Sequence, residues 1–329
     1  MRRKKSKRNM IETLHIQNYR LFKDLTIAKL GQVNLIAGQN NSGKTALLEA
    51  IRIFANNMNV NIMANVIYLR KEYDDSKKAE SFATLFGSSE IIDLGENFLL
   101  RINGKGWGMV VSKNGFIRTH RGAANVTSTQ AKGLDTFDYK NPLDEVVYVP
   151  FLSDNQFKIR NNFWEKIVFN EDEKQKVVEI LNIISQKQIK KFTIIGDTPM
   201  VLLENGQSEK LTSWGDGGNR LLMLGLALVN AKGKMLLIDE FEVGLHYSIQ
   251  EKLWNIIFAY AKKWNIQVFV TTHSEDTIRA FTTIANKTEY EGMANYLRLQ
   301  RTRNQQDIVA VVNDIRSLEI ALHQEIEIR

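Results

Sequence analysis

The stretch Val33-Asn34-Leu35-Ile36-Ala37-Gly38-Gln39-Asn40-Asn41-Ser42-Gly43-Lys44-Thr45-Ala46-Leu47-Leu48 decides how the chain is read. Val33 to Ala37 is a short apolar run ending at a glycine, the pattern of a buried strand. Gly38 to Thr45 satisfies G-x-x-x-x-G-K-[ST] at every fixed position. From Thr45 to Phe54 the apolar residues Leu47, Leu48, Ile51 and Phe54 fall on one helical face. A strand, a glycine-rich turn and a helix N-terminus together aim unpaired backbone amides at a phosphate. Glycines keep side chains out of that approach. The nucleotide-binding residues are therefore expected to be Gly38, Asn40, Asn41, Ser42, Gly43, Lys44 and Thr45. Lys44 is expected on the β- and γ-phosphates, and Thr45 on Mg²⁺. The expected cofactors are ATP and Mg²⁺.

A Mg-nucleotide site needs a carboxylate at the end of a buried strand. Met235-Leu236-Leu237-Ile238-Asp239-Glu240 supplies one. Asp239 falls at the C-terminal strand edge, where open α/β sheets bind ligands. It is the expected metal residue with Thr45. Glu240 is placed to act as general base on the attacking water. Val268-Phe269-Val270-Thr271-Thr272-His273-Ser274 is another buried run, ending in a polar cluster. His273 there is expected to contact the γ-phosphate or the hydrolytic water. Glu240, His273 and Lys44 are the catalytic candidates.

The order of strand 235–238, helix 248–263 and strand 267–271 argues for parallel pairing in an α/β core. Ile11 to Ile16 and Phe22 to Ile27 suggest a strand pair around Gln17-Asn18-Tyr19-Arg20. Residues from about Glu90 to Thr119 suggest strands and hairpins. Asn162 to Gln188 is mostly helical, and Phe192 to Leu211 resembles a hairpin turning at Asn205-Gly206. Leu221 to Val229 is the longest apolar run, too short for a membrane span, and reads as a buried helix.

Bulk composition narrows the classes. The 329 residues include no cysteine, which excludes disulfides, thiolate metal sites and cysteine nucleophiles. That composition fits a cytoplasmic protein, and no membrane partner is expected. The net charge is +7, and the segment Met1 to Asn9 carries six positive residues. Those nine residues read as a basic tail, either solvated or attracted to nucleic acid. Residues 10–329 are expected to form one composite domain, with a helical insert region at about 151–210. No N-K-x-D motif for guanine is apparent, which favours ATP over GTP.

Taken together, these motifs resemble ABC-type ATPases of the RecF/SMC class, and most nearly the stand-alone ATPases of the OLD-like group. Leu14-His15-Ile16-Gln17-Asn18-Tyr19-Arg20 is similar to that group's opening strands. Asp239-Glu240-Phe241-Glu242-Val243-Gly244-Leu245-His246 resembles its D-E-x-E-x-x-L-H, and Thr271-Thr272-His273-Ser274 its T-T-H-S. Asp314 to Arg329 resembles closing segments of stand-alone members. Leu211-Thr212-Ser213-Trp214-Gly215-Asp216-Gly217 looks like the signature that closes over ATP held by a second subunit. The resemblance thus implies nucleotide contacts in trans from Ser213 and Gly215. It also implies a P-loop, ABC-type ATPase head with a mixed-sheet core, a β-rich N-terminal subdomain and a helical subdomain.

Two features depart from the pattern. Tyr148-Val149-Pro150 is followed by Phe151, where transporters carry glutamine, and Gln156 is a weak substitute. The clustered acids of the OLD-type nuclease domain would begin where the chain ends, so nuclease activity is not implied. The expected function is a slow ATPase whose nucleotide-dependent homodimer, or higher homo-oligomer, switches an effector such as a nuclease or toxin in phage defence. A DNA-repair ATPase on duplex DNA, or a sensor scaffold held together by nucleotide, is the alternative.

Overall fold

The structure is a computed structural model. It describes residues 10–56, 59–74, 81–82, 84–86, 98–102, 105–111, 117–121, 129–130, 146–151, 156–185, 187–302 and 307–324. The basic segment 1–9 and the final residues 325–329 lie outside them.

A six-stranded sheet forms the centre. Its order is β15 (Ile308–Asn313), β14 (Ala294–Arg301), β3 (Val33–Ala37), β13 (Gln267–Thr272), β12 (Met235–Ile238), β8 (Val146–Val149). All neighbours are parallel except β14 and β15, which pair antiparallel. The expected parallel pairing of 235–238 with the strand after the helix is therefore present, Met235 standing opposite Gln267.

Burial on both faces explains the apolar runs. Val33, Leu35, Leu236, Ile238, Val268 and Val270 point into one core. Ile36, Met235, Leu237 and Phe269 point into the other. The first core is covered by α4 (Glu171–Ser185), α5 (Gly215–Asn230), α6 (Tyr247–Trp264) and α7 (Glu275–Ala285). Helix α5 is apolar nearly all round, and Leu222, Leu226 and Ala227 are fully buried, as its run predicts. It starts at Gly215, behind a 3₁₀ turn over Leu211–Trp214.

The second core lies under α1 (Lys44–Ala55), α2 (Val60–Leu69) and an antiparallel sheet. That sheet runs β2 (Phe22–Ile27), β1 (Leu14–Tyr19), β4 (Phe98–Ile102), β5 (Lys105–Val111), β6 (Ile117–Arg121), β7 (Thr129–Gln130). The hairpin expected around Gln17 to Arg20 turns later, at Arg20-Leu21, because Tyr19 is buried as the last strand residue. The side chain of Arg20 locks the turn, its Nε lying 3.1 Å from the buried carboxylate of Glu49 on α1. Gln267 ties the chain start to the central sheet, accepting from the Ile11 amide and donating to its carbonyl at 2.8 and 2.7 Å.

The segment after α3 (Gln156–Glu165) and α4 is three-stranded. β9 (Ile189–Ile195) and β10 (Thr198–Leu203) turn at Gly196-Asp197, and β11 (Ser208–Lys210) follows the turn at Asn205-Gly206. The single hairpin expected from Phe192 to Leu211 thus starts earlier and has two turns. Among the described residues no helix is long and apolar enough to cross a membrane.

Candidate functional site

Strand β3 ends at Ala37, and α1 begins at Lys44 with Gly43 as its cap at φ 95°. A side chain at Gly43 would strike the ring of Phe22 at 2.8 Å, and one at Gly38 would strike the carbonyl of Leu299 at 2.6 Å. Only glycine lets the loop curl this tightly. The curl leaves a cavity of about 710 Å³ lined by Asn40, Asn41, Ser42, Gly43, Lys44 and Thr45, with Glu240 on its wall. Gly38 lies beneath them, its carbonyl accepting from Lys44 Nζ at 2.9 Å. The Ser42 hydroxyl is buried without a hydrogen-bond partner among the described residues, which leaves it available to an oxyanion.

Lys44 is buried, and its Nζ also donates to the Gln39 carbonyl at 3.1 Å. Burial draws the amine below its ordinary value, while Glu240, 4.0 Å away, pulls the other way. Phosphate oxygens would replace loop carbonyls as its acceptors.

The two distant acidic motifs converge here. The Thr45 hydroxyl donates to Asp239 at 2.9 Å, and Thr271 donates to the same carboxylate at 2.6 Å. Asp239 is 1% exposed and makes no ion pair among the described residues. Burial raises its pKa, and the two hydroxyls oppose that rise. A buried carboxylate without a paired cation, beside a hydroxyl, suits a hard divalent ion such as Mg²⁺.

Glu240 takes a left-handed backbone, φ 49°, as the chain leaves β12. Three bonds hold that bend. Its amide donates to Thr271 Oγ1 at 2.8 Å, and Arg220 Nη2 donates to the carbonyls of Asp239 and Glu240 at 2.9 Å each. The bend brings Glu240 Oε2 to 2.5 Å from His273 Nδ1. Glu242 then orients the histidine, accepting from its amide at 2.9 Å and from Thr272 Oγ1 at 2.7 Å. A carboxylate held by an imidazole, beside a phosphate cradle, can take a proton from water.

The chain resembles known proteins in sequence and in fold. Residues 10–167 match the family model described as "AAA ATPase domain". Residues 136–279 match the one described as "AAA domain, putative AbiEii toxin, Type IV TA system". A Helicobacter pylori protein named "ATP/GTP phosphatase" is 24% identical, covering 85% of this chain and 90% of that protein. A solved Smc head, bound to the C-winged helix domain of ScpA, aligns over 95% of this chain and all of that one. Its TM-score is 0.60 at 13% identity. The Pyrococcus furiosus Smc head aligns over 96% of this chain and 99% of that one, at TM-score 0.56 and 10% identity.

The fold of this chain is that of an SMC-like P-loop ATPase head.

The remaining expected residues of the ATPase lie apart from the cradle. Ser213 and Gly215 are exposed and do not line the cavity of their own chain. Ser213 Oγ donates to the Lys210 carbonyl at 2.7 Å, and Gly215 has φ 73°. Gln156 begins α3 and does not line the cavity.

Sequence reasoning missed several residues. Arg70 and Arg301 line the cavity, contributed by the end of α2 and by β14. Arg70 is anchored by Glu49 at 2.6 Å. No local pattern marks these arginines, since each arrives from a separate element. Glu242 and Thr271 lie within the D-E-x-E and T-T-H-S motifs, but their positioning roles are visible only in the hydrogen bonds. The spacing of D-E-x-E is the one signal that could have singled out Glu242.

Proposed function

We propose that the ATPase hydrolyses Mg-ATP at an interface between two copies of the chain. The observation that supports this most is the separation of its two halves. The phosphate cradle and the carboxylates face one cavity, while Ser213 and Gly215 stand exposed elsewhere. In this reading Ser213 and Gly215 of a second copy close over the γ-phosphate.

Lys44 and the loop amides bind the β- and γ-phosphates. Thr45 and Asp239 hold Mg²⁺, which offsets phosphate charge when bound. Glu240 accepts a proton from the attacking water, and His273 orients the carboxylate. Turnover is slow, because each cycle requires the two copies to close and part.

The likeness to a head domain solved with a bound partner, and to a model named for a toxin–antitoxin system, supports an effector as the output. We assign that output to a separate nuclease or toxin in phage defence, acting in the cytoplasm. The excess of 44 basic over 37 acidic residues favours duplex DNA as the second reading.

Glu240→Gln tests the interface. Light scattering with Mg-ATP should report a dimer that persists, and without nucleotide a monomer. A single unchanged mass in both conditions refutes the sandwiched site. For the DNA reading, absence of binding at low salt removes it.

A further inference from the structure

A second cavity, of about 390 Å³, is lined by Arg220, the residue that bonds the Asp239-Glu240 bend. It lies between α3 and α5, with Phe157, Arg160, Arg220 and Met223 on its walls and Val243-Gly244 closing one side. Two of these residues are buried cations. Arg160 is 2% exposed and Arg220 is 9% exposed.

Neither guanidinium has a carboxylate partner among the described residues. Arg160 donates to the Asp197 carbonyl at 2.6 Å and to the amide oxygens of Asn161 and Asn219 at 3.4 Å. Arg220 donates to the carbonyls of Asp239 and Glu240 at 2.9 Å and of Pro150 at 3.4 Å. The Nε of each has no hydrogen-bond partner among the described residues. Asp197 acts on Arg160, and Asp239, Glu240 and Glu242 on Arg220, only from beyond ion-pair distance, and a buried charge with no directly paired counter-charge is expensive. Burial accordingly draws Arg160 below its ordinary value and Arg220 down to about 10. No lining residue is acidic.

Beside the amides of Gln156 and Asn219, the rest of the wall is apolar: Pro150, Phe157, Met223, Val243 and Gly244. Phe157 is 53% exposed, and the Arg160 guanidinium lies 5.2 Å from its ring centroid. The volume is in the range of small-ligand sites, which combine apolar walls with a few convergent polar groups.

We propose that this cavity binds a small organic anion, with a carboxylate or phosphate received by Arg160 and Arg220 and an apolar or aromatic body lying on Phe157 and Met223. Because Arg220 also holds the bend that aims Glu240, occupancy reaches the hydrolytic site. A ligand that draws Arg220 towards the cavity weakens its bonds to the Asp239 and Glu240 carbonyls and slows turnover. That regulatory consequence rests on the hydrolytic reading above, whereas the binding itself does not.

The test is calorimetric titration of the full chain with phenyl phosphate, in the Lys44→Ala background so that the phosphate loop does not contribute. Binding with a Kd of about 1 mM or tighter is expected. Arg160→Gln, with folding verified by circular dichroism, should weaken it about tenfold, the scale of one charge-assisted hydrogen bond. Phe157→Ala removes an exposed ring and should weaken phenyl phosphate about threefold or more while leaving inorganic phosphate unchanged. Benzoate in parallel separates carboxylate from phosphate as the preferred head group. Loss of all binding in Lys44→Ala would mean that only the phosphate loop takes the anion, and would overturn the proposal. Unchanged affinity in folded Arg160→Gln would overturn it too. Where that variant does not fold, Phe157→Ala decides alone.

Discussion

The hydroxyl of Thr271 donates to Asp239 at 2.6 Å, so the strand that leads into His273 holds the carboxylate of its neighbour in place. The same oxygen accepts the Glu240 amide. Thr271→Val keeps the shape and removes both bonds. A loss of about 1–3 kcal/mol in denaturant unfolding is expected, with a large fall in ATP turnover. Thr271→Ser should recover most of both. Equal stability of the valine variant and the parent would contradict the bonding described.

Asp239→Asn separates the carboxylate's function from its burden on stability. The folded carboxyl is raised by burial above its unfolded value, so its protonated form favours the fold. Its contribution is full below the unfolded pKa and is lost as pH rises through the folded one. The nucleotide-free variant should therefore melt higher than the parent at pH 8. The gap should shrink towards about pH 4. Stabilisation by Mg-ATP should disappear. Melting curves across that range, with and without Mg-ATP, check both parts.

Lys44→Ala should abolish nucleotide-dependent stabilisation. A ligand at 100 times its Kd adds about 2.7 kcal/mol to the folded state. The parent should therefore show a clear rise in melting temperature with Mg-ATP, and the variant almost none. Retained stabilisation would place the nucleotide elsewhere.

His273→Ala leaves the cradle whole while freeing Glu240 from its 2.5 Å partner. Turnover should fall about tenfold or more with KM for ATP little changed, because the imidazole orients the base and does not hold the phosphates. A rise in KM with unchanged kcat would instead make His273 a binding residue.

Leu226→Ala probes the scaffold. Leu226 is fully buried in α5, the helix that also carries Arg220. The truncation should cost about 2–5 kcal/mol in unfolding experiments. The folded fraction should still bind nucleotide, since no cavity-lining residue is removed.

The sequence alone carried the phosphate loop, the strand before it and the helix after it. These are local features: the glycines, Lys44 and Thr45 act within eight consecutive residues, and the loop's strained backbone admits little else. It also carried the parallel strands 235–238 and 267–271, because burial on both faces demands unbroken apolar runs. Tertiary structure decided how these motifs meet and what else joins them. Only the folded sheet brings Thr45 to Asp239 across 194 positions, and only the bend at Glu240 brings it to His273. Arg70 and Arg301 reach the cavity from elements with no motif of their own. The pairing of Arg160 with Arg220 around a second cavity depends on how α3 packs against α5, a long-range contact that no residue spacing encodes.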